Sequence, residues 1–235
     1  MKPWELLGET RTLDDETLTL MLRDREFVIL ASGKPLMSSR MHGSEEALAS
    51  LGCAHATAAE APAVLVGGLG MGFTLAATLA LMPEAGTVVV AELLADVVTW
   101  NRGPLGAEAG RPLQDRRVEV VVGDVLDVLR TRRAAFDAIL LDVDNGPDAF
   151  TSARNAALYA DEGLAAIRAS LRPGGVVAVW SAWEDRKFEQ RLNANGFDVD
   201  VQRVRARLKK GGPRHTIFLG RPNQARPIRT RPRTT

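Results

Sequence analysis

A chain of 235 residues, 46% hydrophobic and 25% charged, is long enough for one well-buried α/β domain with a small appendage. Its single cysteine, Cys53, excludes an internal disulfide framework and points to a reducing cytoplasmic setting. No apolar run nears the roughly 20 residues that cross a bilayer, and "MKPWELLGETRTLDDE" lacks the apolar core of a signal peptide. The net charge of +1 hides an uneven distribution, because residues 221–235 hold five Arg, three Pro and no acid. Without them, 25 basic residues face 29 acidic ones, so the body is acidic and the tail, residues 221–235, is expected to be disordered.

In chain order, residues 17–39 predict a β-meander: "TLTLMLR", a turn at Asp24-Arg25, "EFVILA", a turn at Ser32-Gly33-Lys34-Pro35, then "LMSS". Ser44 is the expected N-cap of a helix through "EEALASLG", with Glu45 and Glu46 in its first turn. From Ala63 strands and helices alternate. "AVLV", "TVVVAE", "VEVVVGD", "FDAILLD" and "GVVAVWS" read as buried strands, each followed by a helical stretch. One of these helices is expected to run unbroken through "NAALYADEGLAAIRASL". The segments "FDVDVQRVRARL" and "RHTIFLG" predict an antiparallel hairpin at the end. The fold class is therefore α/β, a doubly wound and mostly parallel sheet with a terminal hairpin and a small N-terminal meander. The expected division is residues 1–42, 43–220 and the tail 221–235.

Chemistry enters at "VLVGGLGMGFTLA". Gly67, Gly68, Gly70 and Gly72 fall in the first strand-to-helix turn, where a ligand can lie against the main chain. The spacing Gly68-x-Gly70-x-Gly72 lacks the third glycine of a dinucleotide fingerprint, and such a turn can also be a tight connection alone. Glu92 ends the second strand, where a carboxylate can accept from both ribose hydroxyls. Gly123 and Asp124 end the third, where an acid can meet an adenine amino group. Asp142 ends the fourth strand, and Asp144 follows in the turn-like "DNGP"; both are candidate catalytic acids that attract and deprotonate an amine, or else helix caps. Trp180 and Trp183 flank the end of the fifth strand, either lining a pocket or packing beneath a loop. His55, His215 and Cys53 show no metal-ligand spacing, so no metal is expected, and His42 is either a proton shuttle or a structural helix-start histidine.

The layout is that of class I S-adenosylmethionine-dependent transferases. Together, "VLVGGLGMG", "VVVAE", "VVVGD", "FDAILLDVDNGP", "LYADEGLAAIRASLRPGGVVAVWS" and "GKPLMSSRMHGSEEAL" resemble the spermidine synthase family, over about residues 17–220. The resemblance implies S-adenosylmethionine or its decarboxylated form as cofactor, a small-molecule and possibly amine acceptor, no membrane partner and a homodimer. It also implies catalytic Asp142 and substrate contacts at His42, Asn145 and Trp180. The departures concern the amine half. The glycine loop lacks the family's acid, Asn145 stands at its second catalytic acid, and Trp180 replaces a glutamine. Methyl transfer to a small molecule is the first reading. Aminopropyl transfer from decarboxylated S-adenosylmethionine to putrescine, nucleic-acid methylation, for which the alternating Arg203, Arg205 and Arg207 of one strand face, Lys209, Lys210 and the tail are the only support, and a non-catalytic nucleoside-binding protein are the alternatives. Free main-chain N–H groups in the glycine loop are expected to favour the carboxylated cofactor.

Overall fold

The computed structural model describes residues 2–143, 153–207 and 212–223. The N-terminal meander has four antiparallel strands, β1 (Glu5–Arg11), β2 (Thr17–Arg23), β3 (Glu26–Ala31) and β4 (Lys34–Ser38), in that order. The sequence reading lacks β1, and its interior Gly8 explains why. A Cβ at Gly8 would lie 2.4 Å from Trp100 Nε1, so the glycine that weakens the strand signal lets the small sheet approach the larger body. Thr10 Oγ1 donates to Asp96 at 2.5 Å beside this contact.

The larger body contains α1 (Gly43–Cys53), β5 (Ala63–Gly67), α2 (Phe73–Leu81), β6 (Thr87–Glu92), α3 (Ala95–Arg102), β7 (Val118–Val122), α4 (Val125–Thr131) and β8 (Phe136–Leu141). It continues with α5 (Ala153–Leu158), α6 (Asp161–Ser170), β9 (Leu171–Ser181), α7 (Arg186–Ala194), β10 (Phe197–Arg205) and β11 (Arg214–Pro222). The sheet order is β10-β11-β9-β8-β5-β6-β7, with β9 through β7 parallel and β11 and β10 antiparallel. This is the doubly wound sheet with terminal hairpin expected from the sequence. The long helix breaks into α5 and α6 at Tyr159-Ala160, where a Cβ at Gly163 would lie 2.1 Å from Leu158 O.

The apolar strand runs bury both faces, as period-two geometry requires. Val64, Val66, Val88, Val90, Ala138 and Leu140 enter the core facing α1, α2 and the meander. Leu65, Val89, Ala91, Ile139 and Leu141 enter the core facing α4, α6 and α7. β11 runs through Pro222, and Arg168 donates to the carbonyl of Asn223, so the first residues of the expected tail are built into the fold. Residues 224–235 lie outside the described residues. Among the described residues no helix is long and apolar enough to cross a membrane.

Candidate functional site

The chain runs outward from β5 to β6 and β7, then crosses back to place β8 on the other side of β5. In such sheets the crevice for a ligand opens at the carboxyl ends of the strands flanking that reversal. Gly67 ends β5 and Asp142 follows β8, and the two are tied by the Asp142 N–H donating to Gly67 O at 2.8 Å. The contact is close enough that a Cβ at Gly68 would sit 2.2 Å from Asp142 O, at a φ of +89°. Glycine at this position is therefore required by both space and backbone conformation.

Over this junction lies a cavity of about 350 Å³, within the range of small-molecule sites. The meander roofs it with Leu18, Ile29, Leu36, Met37 and the β1–β2 turn at Thr12–Asp14. Its floor is the glycine loop, Glu92, Gly123, Asp124 and Asp142, and Trp180 and His215 close the far side. Six acids, Asp14, Glu16, Glu45, Glu92, Asp124 and Asp142, line it, and no lysine or arginine does so among the described residues. The cavity thus favours cationic ligands.

Glu92 is buried and uses both oxygens, accepting from Leu69 N and Leu94 N at 2.9 Å each. Burial raises its pKa, and the surrounding N–H donors, Gly70 among them, oppose the rise. Gly68 N donates to Ala91 O and Gly72 N to Leu69 O. These loop amides are therefore committed within the protein, contrary to the expectation that they stand free for a cofactor carboxylate. Asp124 caps α4 through Leu126 N at 2.9 Å, which leaves its second oxygen for a ligand. A Cβ at Gly123 would meet no protein atom within 4 Å, so space is open beside it.

Asp142 lines the cavity and is enclosed by protein elsewhere. Burial raises its pKa to about 6, and the Thr74 hydroxyl donating at 2.6 Å holds it back. Across from it stands Glu45, raised to about 7 first by burial and then by the charge of Asp142. Ser44 does not cap α1, because His42 holds the cap position without a side-chain bond. Instead its hydroxyl donates to Glu45 Oε2 at 2.5 Å and meets His215 Nδ1 at 2.9 Å. Burial lowers the pKa of His215, and the edge of Trp180 packs on it at 4.7 Å between centroids.

Of the predicted substrate contacts, His42 is placed differently, and of the two tryptophans left open between pocket and packing only Trp180 lines the cavity. His42 stacks on Phe73 at 4.2 Å and bonds Glu46, outside the cavity lining, so packing rather than a ligand orients its ring. Trp183 is 47% exposed and lines nothing there. Trp180 does line it. Asp144 and Asn145 lie outside the described residues. Glu45 and His215 were missed as site residues. Glu45 reads as a helix-dipole acid, and His215 enters only because β11 runs antiparallel to β9, bringing its start to the carboxyl ends of the parallel strands. No cluster of three or more His, Cys, Asp or Glu suited to a metal occurs among the described residues.

The profile of a family of S-adenosyl-L-methionine-dependent methyltransferases matches residues 93–212, just over half the chain. The protein belongs to this family. The match spans Asp124, Asp142 and Trp180 and begins just after Glu92. No curated protein matches this methyltransferase-family chain in sequence. Among solved structures, a spermidine synthase from Thermotoga maritima superposes with a TM-score of 0.71 at 19% identity, covering 92% of this chain and 72% of that one. A spermidine synthase in complex with the transition-state analogue AdoDATO gives 0.70 at 18% identity, with the same coverage of 92% and 72%. The methyltransferase-family chain therefore has the spermidine synthase fold, the N-terminal meander included.

Proposed function

We propose that this protein transfers the methyl group of S-adenosylmethionine to a small-molecule acceptor. The observation that carries the reading is the switch-point junction, where Asp142, held by Thr74, faces the same cavity as Glu92 and the glycine loop. The cavity fits the cofactor: the remaining lone pairs of the Glu92 carboxylate suit a ribose diol, and Asp124 with the open space at Gly123 suits an adenine edge. When bound, the cofactor supplies an electrophilic methyl on a sulfonium. Asp142 orients the acceptor and takes its proton. Membership in the methyltransferase family supports methyl over other transfers. The cytoplasmic, homodimeric character expected from the sequence is part of the same reading.

One observation favours a second reading, aminopropyl transfer. The amides of Gly68, Leu69 and Gly72 are occupied and, among the described residues, no lysine or arginine lines the cavity, so none of these offers a partner to the carboxylate of ordinary S-adenosylmethionine. Calorimetric titration with S-adenosylmethionine, its decarboxylated form and methylthioadenosine separates the two, followed by mass analysis of products from an amine panel that includes putrescine. Methyl transfer predicts turnover with the carboxylated cofactor and its loss in Asp142→Asn, with cofactor affinity kept within a few fold. Tighter binding of the decarboxylated form together with spermidine production from putrescine rejects it in favour of the second reading.

A further inference from the structure

Trp180 on β9 and His215 on β11 close the side of the cavity away from Glu92, and the histidine is governed from α1. Ser44 is wholly buried in the first turn of that helix, which is tied to the hairpin by Gly43 N donating to Ala206 O at 2.9 Å. Its hydroxyl meets two partners, Glu45 Oε2 at 2.5 Å and His215 Nδ1 at 2.9 Å, and has one proton to offer them. An ionised carboxylate only accepts, so with Glu45 ionised the hydroxyl proton goes to Oε2. The contact with His215 then requires the imidazole proton on Nδ1, which leaves a bare lone pair on Nε2. That nitrogen has no hydrogen-bond partner among the described residues and is not closed off from solvent, and the ring that carries it lines the cavity. The edge of Trp180 packs on the ring at 4.7 Å between centroids, and Val204 stands opposite on β10.

The three groups can also run in the opposite sense. When Glu45 holds a proton, its O–H donates to Ser44, the Ser44 hydroxyl donates to Nδ1, and the imidazole carries its proton on Nε2. One proton taken up at Nε2 is balanced by the Nδ1 proton passing to Ser44 and the Ser44 proton passing to Glu45, so the ring is neutral in both states. Burial raises the Glu45 pKa to about 7, and the charges of Asp142 and, more weakly, Glu46 add to the rise. Glu46 is itself turned to His42 at 2.8 Å. Burial lowers the pKa of His215, which keeps its ring neutral through the change.

We propose that His215 Nε2 is a recognition point for an uncharged N–H or O–H donor on the acceptor, and that Glu45, acting through Ser44, sets whether this nitrogen accepts or donates. The proposal takes from the methyl-transfer reading only that the ligand in this half of the cavity is the acceptor. With Glu45 ionised, a ligand donor pairs Nε2, whereas a ligand of the same shape without one leaves it unpaired. Ser44 and Glu45 are positioning residues that act through the imidazole.

Two measurements on the full chain test this. In 15N NMR of its three histidines, His215 is assigned by its loss in His215→Phe, or, should that variant not fold, by removing the other two as His42→Gln and His55→Gln. His215 is expected to show the Nδ1–H tautomer at about pH 8.5 and the Nε2–H tautomer near pH 6, and Ser44→Ala to abolish this response. Calorimetry with S-adenosylhomocysteine present then compares two probes of the same shape: indole, whose N–H only donates, and benzofuran, which has no donor. Indole is expected to bind roughly threefold to tenfold tighter at about pH 8.5, the scale of one neutral hydrogen bond, and to lose that preference near pH 6. His215→Phe should abolish the preference while S-adenosylhomocysteine affinity stays within about twofold. An Nε2–H tautomer at pH 8.5, a tautomer indifferent to pH, or equal binding of the two probes at pH 8.5 overturns the proposal. An indole preference in a protein that does not bind S-adenosylhomocysteine would reject the methyl-transfer reading alone and leave the His215 subsite standing.

Discussion

Replacing Glu92 by glutamine separates the price of a buried charge from its use. The carboxylate accepts from Leu69 N and Leu94 N while buried, and its pKa is raised, chiefly by that burial. A carboxyl whose folded pKa exceeds its unfolded value stabilises the protein below the unfolded pKa, and that stabilisation is lost as pH rises through the folded value. Above its folded value the ionised Glu92 is therefore a liability for folding. Gln removes the charge but keeps one acceptor, leaving one main-chain N–H facing an amide NH2. The relief of desolvation and the loss of a hydrogen bond, each about 1–3 kcal/mol, oppose one another, so the melting temperature should move by only a few degrees. Binding has no such offset. A ribose diol donates two hydroxyls to a carboxylate, and an amide oxygen replaces one charged contact poorly, at about 1.5–3 kcal/mol, or roughly tenfold to a hundredfold in affinity. Titration with methylthioadenosine beside a thermal melt reads both. A folded Glu92→Gln that binds methylthioadenosine like the parent would refute the ribose assignment.

Gly68→Ala should lose nucleoside binding and much stability, since its Cβ would meet Asp142 O at 2.2 Å; Gly33→Ala, at a similar φ of +78° but with nothing within 4 Å, should cost only about 1 kcal/mol. Paired thermal melts of the two variants check this, and equal losses would contradict the close-approach argument. A chain ending at Asn223 should melt and bind like the parent, whereas one ending at Gly220 should melt lower, because it loses the end of β11 and the Arg168 contact to Asn223. Both Asp142 and Glu45 have pKa values raised from 3.8 and 4.5 to about 6 and 7, so their contribution to stability is present below pH 4 and lost as pH rises through 6 to 7. The melting temperature should therefore fall from pH 5 to pH 8 by several degrees, and Glu45→Gln should flatten the curve and melt higher than the parent at pH 8. A parent curve that rises over this interval would show that the two acids are not buried together.

The parallel sheet was legible because each of its strands is a short apolar run whose residues divide alternately between two cores, as Val64, Leu65 and Val66 do. The carboxyl-end acids were legible for a related reason: in a doubly wound sheet, the residue closing each strand faces one crevice whatever its distance in sequence. What escaped is tertiary. Gly8 argues against a strand until Trp100 is seen against it. Ser44 has the composition of a cap, yet its hydroxyl is drawn off by Glu45 and His215, a partner 171 residues away. His42 looks like a site histidine but is claimed by Phe73 and Glu46. No local pattern carries those pairings, because each depends on which elements the hairpin and the meander bring together.

Under the proposed function, the same pairings let one cavity serve two ligands with different demands. Its Glu92 half offers carboxylate lone pairs and open space at Gly123, on loop geometry that is already braced from within. Such a braced loop needs no reorganisation on binding, so affinity there depends on a few fixed acceptors. The Asp142 half is poised differently. It holds two acids whose burial raises their pKa, with hydrogen bonds from Thr74 and Ser44 opposing the rise. Acids with pKa values near 6 and 7 sit close to the working pH of the cell and can exchange a proton there at little cost. An acid free in solution, ionised near pH 4, is too weak a base to take a proton from an amine at neutral pH. Under the proposed function, the burial that raises the Asp142 pKa also suits it to deprotonate an acceptor, which would tie the pH dependence of stability to that of activity.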